Sequence, residues 1–131
     1  MKLRLDYGTS GLPVEFASER VQVIEPHYVP PAVDVTATLR RALQTPIGRP
    51  PLRALVTPGR KIGISVCDIT RAQPRQAMLE ALLAEMPGVD PRDITIFIAT
   101  GTHRQNTPVE IERMIGAEFA RACRTRSSLL R

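Results

Sequence analysis

The sequence has no tryptophan, and aromatic residues make up only 4% of its 131 positions, so any core must rest on Leu, Ile, Val and Ala. It holds just two cysteines, Cys67 and Cys123, far apart and without CxxC spacing. That excludes both a cysteine-built zinc site and a disulfide framework, and it implies a reducing, cytoplasmic setting. Cys67 lies in an apolar run, where a small buried thiol is the ordinary reading. His27 and His103 are the only histidines, and neither has a second metal-ligating neighbour, so no metal site is expected within this chain. No apolar run reaches the length of a membrane span. Lys2, Arg4 and Asp6 stand where a signal peptide needs an apolar stretch, so neither secretion nor membrane insertion is expected.

What is present describes an ordinary folded chain. Hydrophobic residues are 43% and charged residues 24%, and the length fits one domain or a piece of a larger one. The net charge of +5 is uneven, because Arg121, Arg124, Arg126 and Arg131 stand against Glu118 alone after residue 115. A basic chain raises the question of nucleic acid. Here the charge sits on a short terminal stretch with no aromatic beyond Phe119 for base stacking, so nucleic-acid binding is not expected.

Leu3 and Leu5 alternate with Lys2, Arg4 and Asp6, and Gly8-Thr9-Ser10-Gly11 reads as a turn. Val14, Phe16, Val21 and Val23 continue the alternation, which predicts a small antiparallel β-element at a sheet edge. Pro26 to Pro31 is a stiff connector. Asp34 is placed to cap a helix over Val35–Gln44, with Leu39, Ala42 and Leu43 on one face. A short helical turn is expected at 52–56. The second half has a sharper pattern: a strand over 61–67, a helix over 74–86, a β-branched strand over 93–99, then Thr107-Pro108-Val109-Glu110 with capping-box spacing ahead of Ile111, Met114 and Ile115. This is a βαβα unit with parallel strands.

In open α/β sheets ligands bind beyond the carboxyl ends of the strands. Two polar loops leave those ends: Asp68-Ile69-Thr70-Arg71 and Thr100-Gly101-Thr102-His103-Arg104. If the strands are neighbours, both loops line one crevice and supply a carboxylate, hydroxyls, two guanidinium groups and an imidazole. Gly101 lets the backbone approach a ligand, and the following helix N-terminus favours an anion. His103 is the one side chain of the set suited to proton transfer near neutral pH, the alternative being an exposed loop histidine. Asp68 and Arg71 either bind a ligand or pair with each other. Neither G-x-G-x-x-G nor a Walker lysine is present.

At these residues the chain resembles the lactate racemase family of nickel-pincer-nucleotide enzymes. Asp68-Ile69-Thr70-Arg71 followed by Pro74 is similar to that family's D-x-T-R-P-x-P, and Ile98 to Arg104 to its A-T-G-x-H-R. Ala42 to Gly48 resembles its A-L-x-x-P-I-G, and the resemblance extends to about residue 120. It implies an α/β fold in which the small β-element and helix precede the βαβα unit, all part of a larger Rossmann-like domain. The implied activity is racemisation of a 2-hydroxy acid by hydride transfer to a nickel-pincer nucleotide. His103 matches one of two acid/base histidines, while Asp68, Thr70, Arg71, Gly101 and Thr102 match loops against cofactor and substrate.

Position 72 is Ala where the signature has Pro. The family's second acid/base histidine, cofactor-tethering lysine and nickel-ligating histidine have no counterpart here. The expectation is therefore an incomplete amino-terminal domain over 1–120, inactive alone, with an Arg-rich tail over 121–131. DNA encoding Ala122 to Arg126 can read Arg-Val-Glu-His-Asp one base on, which suggests an out-of-frame tail. A non-catalytic module binding a nucleotide or hydroxy acid is the alternative.

Overall fold

The computed structural model describes residues 1–17 and 20–129. The chain divides into two compact units, Met1–Pro31 and Ala32–Arg131.

In the first unit, β1 (Lys2–Leu5) and β2 (Leu12–Glu15) form an antiparallel hairpin, with Lys2 opposite Glu15 and Leu5 opposite Leu12. Gly11, at φ 72°, closes the turn, and a Cβ there would stand 2.8 Å from Arg4 Nε and 3.2 Å from the Leu5 carbonyl oxygen. The alternation at Val21 and Val23 does not become a strand. A period of two makes a strand only where a ladder partner runs alongside. Among the described residues β1 and β2 pair only with each other.

The second unit opens as its sequence dictates. Asp34 caps α1 (Val35–Gln44), its Oδ1 accepting from the Ala37 N–H at 2.8 Å. α2 (Leu52–Leu55) is a single turn. Both are pinned to the end of α3 (Arg75–Ala84) by Glu85, a buried carboxylate that accepts from Gln44 Nε2 at 2.7 Å and Arg53 Nη2 at 2.7 Å. The Arg53 guanidinium, then the Gln44 amide, hold its carboxyl below the usual carboxylate range.

β3 (Ile62–Cys67), β4 (Ile94–Gly101) and β5 (Arg124–Leu129) form a parallel sheet in that order, with Ile64 beside Ile96 and Phe97 beside Arg126. α3 connects the first pair, while α4 (Pro108–Ile115) and α5 (Ala117–Ala122) connect the second. Crossovers of one hand through successive neighbours keep to one face of a sheet. The core lies there: Val66, Ile94, Ile96 and Ile98 pack against Leu79 of α3, Met114 and Ile115 of α4, and Phe119 of α5. Each such side chain removed from water contributes about 2 kcal/mol.

The sequence pattern predicts no element within 121–131, yet α5 runs into it and β5 occupies most of it. The reason is compositional. β5 reads Arg-Thr-Arg-Ser-Ser-Leu, without the β-branched run that marks a buried parallel strand. As the last strand of the sheet, with Arg124 and Arg126 exposed, it needs none.

Candidate functional site

β3 and β4 are hydrogen-bonded neighbours, so the loops leaving their carboxyl ends do meet. Between them lies a crevice of about 240 Å³ lined by Cys67, Asp68, Arg71, Ala99, Thr100, Gly101, Thr102 and His103. Gly101 ends β4 at φ 58°, beside a register shift against β5, and nothing lies within 4 Å of where its Cβ would stand. Left-handed backbone is what requires glycine here, and the space above it is open to a ligand. The His103 N–H then donates to the Thr100 carbonyl at 2.9 Å and closes the turn.

A short side-chain contact in the crevice joins the two loops. His103 Nδ1 lies 2.6 Å from Asp68 Oδ2. Asp68 is nearly buried, at 4% side-chain exposure, while His103 keeps 45%. The other carboxylate oxygen, Oδ1, accepts from the Thr70 hydroxyl at 2.7 Å and the Thr70 N–H at 3.2 Å. These contacts, Thr70 first and His103 second, hold the Asp68 carboxyl below its ordinary range. An ionised carboxylate only accepts, so Nδ1 carries the proton and Nε2 is left as the basic nitrogen of the neutral ring.

Arg71 lines the crevice, its N–H bonded to the Asp68 carbonyl at 3.3 Å, and its side chain is not paired with the Asp68 carboxylate. Arg104, the second guanidinium of the sequence reading, is drawn away. It grips Glu110 in a two-point pair at 2.9 and 2.7 Å. The capping box forms as its spacing requires: Glu110 Oε2 accepts from the Thr107 N–H at 2.8 Å, and the Glu110 N–H donates to Thr107 Oγ1 at 3.3 Å. The N-terminus of α4 is therefore already served by a carboxylate, which answers the expectation of an anion site there. Arg104 and then the Thr107 N–H push the Glu110 carboxyl down to about 2.

Arg75 had no place in the sequence reading. It is buried, and its fork donates to the carbonyls of Cys67 (Nε, 2.8 Å), Gln73 (Nη1, 3.2 Å), Arg71 (Nη2, 2.6 Å) and Asp68 (Nη2). Gln73 adds a second tie, its Oε1 accepting from the Cys67 N–H at 2.9 Å. Together they fix the loop that carries Asp68 and Arg71. A faint signal existed, because a cation in the first turn of a helix opposes the helix dipole and must be used elsewhere. Among the described residues Asn106 Oδ1 is a buried acceptor without a donor.

The residues fit one part of the expected cofactor. Arg71, the Thr102 hydroxyl and the open backbone at Gly101 suit a phosphate or carboxylate. Among the described residues no three His, Cys, Asp or Glu converge as a metal-holding group, so the donor set does not fit nickel. Nor is any helix among them long and apolar enough to cross a membrane.

Comparison with known proteins shows the family. A family model for the lactate racemase N-terminal domain matches residues 7–128. The lactate racemase of Thermoanaerobacterium thermosaccharolyticum is 30% identical over 121 residues, which cover 89% of this chain and 28% of that protein. The solved structure of the lactate racemase apoprotein from the same organism superposes with a TM-score of 0.73 at 29% identity, covering 97% of this chain and 30% of that one. The chain thus spans less than a third of the length of the racemase it matches.

Proposed function

We propose a function from one premise: the chain belongs to the lactate racemase N-terminal domain family. It serves as the amino-terminal domain of an enzyme that racemises 2-hydroxy acids, and it contributes one acid/base group and an anion clamp.

The observation that carries this reading is the 2.6 Å contact between Asp68 and His103 at the edge of the crevice. In this reading His103 Nε2 would accept the proton of the substrate hydroxyl and give it back on return. Asp68 is a positioning residue: it fixes the ring tautomer and offsets the positive charge of the protonated ring. Arg71 binds the substrate carboxylate or a cofactor phosphate through its fork, with the Thr102 hydroxyl and the Gly101 backbone beside it. The nickel-pincer nucleotide implied by the family, when bound, supplies the hydride acceptor. Residues outside this chain's donor set must hold its metal.

Purified alone, the 131-residue chain is expected to bind without turning over. Titration with D-lactate, L-lactate or adenosine monophosphate, followed by thermal melting, tests this. A ligand at 100 times its Kd stabilises by about 2.7 kcal/mol, or roughly 10 °C for a chain of this size. Arg71→Ala should abolish the shift. No shift with any of the three ligands would remove the reading. The second reading is a module that binds without any catalytic partner. It predicts the same shift and full indifference to His103→Ala.

A further inference from the structure

A carboxylate has two equivalent oxygens and turns easily about its last bond, so a carboxylate that orients a histidine must itself be held. Asp68 is held from both sides. Its Oδ2 meets His103 Nδ1 at 2.6 Å, across 35 residues of sequence. Its Oδ1 meets Thr70 twice, accepting from the hydroxyl at 2.7 Å and from the N–H at 3.2 Å. The N–H contact is a local turn device that any residue but proline supplies at position 70. The hydroxyl contact is the shorter one, and only a side chain such as serine or threonine can make it. Thr70 is exposed, so burial does not force its hydroxyl onto a protein partner. Branching at Cβ restricts its χ1, which keeps the hydroxyl on the carboxylate. The family resemblance sets Thr70 against the cofactor, yet Thr70 does not line the crevice.

We infer that Thr70 is a second positioning residue for the proton transfer assigned to His103: its hydroxyl commits Oδ1, which leaves Oδ2 to His103 Nδ1 and keeps Nε2 the basic nitrogen. The inference rests on the acid/base reading above and deepens it. Charge is the first support. The Thr70 hydroxyl comes ahead of His103 among the contacts that hold the Asp68 carboxyl below its ordinary range. A carboxylate anchored in this way stays ionised and can only accept, so the ring must donate to it. Loop geometry is the second support. The Asp68 carbonyl accepts from the Arg71 N–H at 3.3 Å and from Arg75 Nη2, which fixes the turn that brings Thr70 back onto the Asp68 side chain. The charged groups around Asp68 are His103, Arg104, Arg71 in the crevice and Arg75 at its carbonyl. The three guanidinium groups keep their charge throughout the neutral range. A change of ring tautomer on altering Thr70 therefore reports the hydroxyl.

Nitrogen-15 NMR of the 131-residue chain reads the tautomer directly, at a pH where the imidazole is neutral. His27 is the only other histidine, and His27→Gln leaves His103 as the single ring in the spectrum. The parent is expected to show one tautomer, with the proton on Nδ1 and none on Nε2. Thr70→Val keeps the branched side chain and the backbone N–H but removes the hydroxyl. In that variant the Nε2–H form should appear, and the titration midpoint of the Asp68 carboxyl carbon should move up. Thr70→Ser should restore both. Thr70→Ala carries the same prediction as Thr70→Val and takes its place if the valine variant does not fold. The inference is overturned if removing the hydroxyl leaves the tautomer and the Asp68 titration unchanged, or if Thr70→Ser behaves like Thr70→Val. The Asp68–His103 contact and the acid/base reading survive either of those results. A parent chain with its proton on Nε2 would instead overturn that reading and this inference together.

Discussion

Exchanging Arg75 for lysine keeps a positive charge and removes a planar fork, so it isolates what the geometry of that side chain does. The guanidinium donates to four backbone carbonyls spread over Cys67 to Gln73. An ammonium offers its protons from a single point and can reach about two of these oxygens. Losing two charge-assisted hydrogen bonds at about 1.5 kcal/mol each gives roughly 3 kcal/mol, or a melting temperature lower by about 10 °C. Melting gives the sum, and hydrogen exchange locates it. The Thr70 and Arg71 amides, which bond to Asp68, and the Cys67 amide, which bonds to Gln73, should exchange faster. The Ile96 and Ile98 amides on the central strand should exchange only through global unfolding. An Arg75→Lys variant with unchanged melting and unchanged loop exchange would refute the argument that this fork holds the site loop in place.

The one-sided core makes neighbouring residues on β4 unequal. Ile96→Ala, at 0% exposure, should cost about 2–5 kcal/mol by urea denaturation, whereas Phe97→Ala, at 39%, should cost about 1 kcal/mol; equal losses would contradict the layering. Glu110 has a folded pKa of about 2, below its ordinary value of 4.5. A depressed carboxylate contributes stability that is present above its unfolded pKa and lost as pH falls through the folded one. Glu110→Gln should therefore flatten the fall in melting temperature between about pH 4.5 and 2, with Asp68 and Glu85 retaining part of the slope. An unaltered slope would mean that the Arg104–Glu110 pair and the cap do not contribute.

Much of the second unit was legible because its signals are local. Asp34 three residues before Ala37, Thr107 three before Glu110, and β-branched residues through 94–98 each fix their conformation from neighbours in the chain. The two site loops were legible for a similar reason, since polar residues after parallel strands lie at the sheet's carboxyl edge. The first unit shows where pattern fails. Val21 and Val23 alternate like a strand but have no ladder to join.

By itself, then, the sequence determined the order of elements as far as α4, the caps and the loops that would form a crevice. Only the tertiary structure decided what each polar side chain in those loops does. Arg71, Arg75 and Arg104 have the same reach and charge, and the sequence cannot rank them. The fold sends one to the crevice, one to four backbone carbonyls and one to Glu110. Asp68 finds His103, 35 residues away, because β3 and β4 pair in register. β5 joins the sheet despite its polar sequence because it occupies an end position with one face open. A local rule acts on neighbours along the chain, while a long polar side chain, or a strand at the end of a sheet, takes its partner from what folding brings beside it.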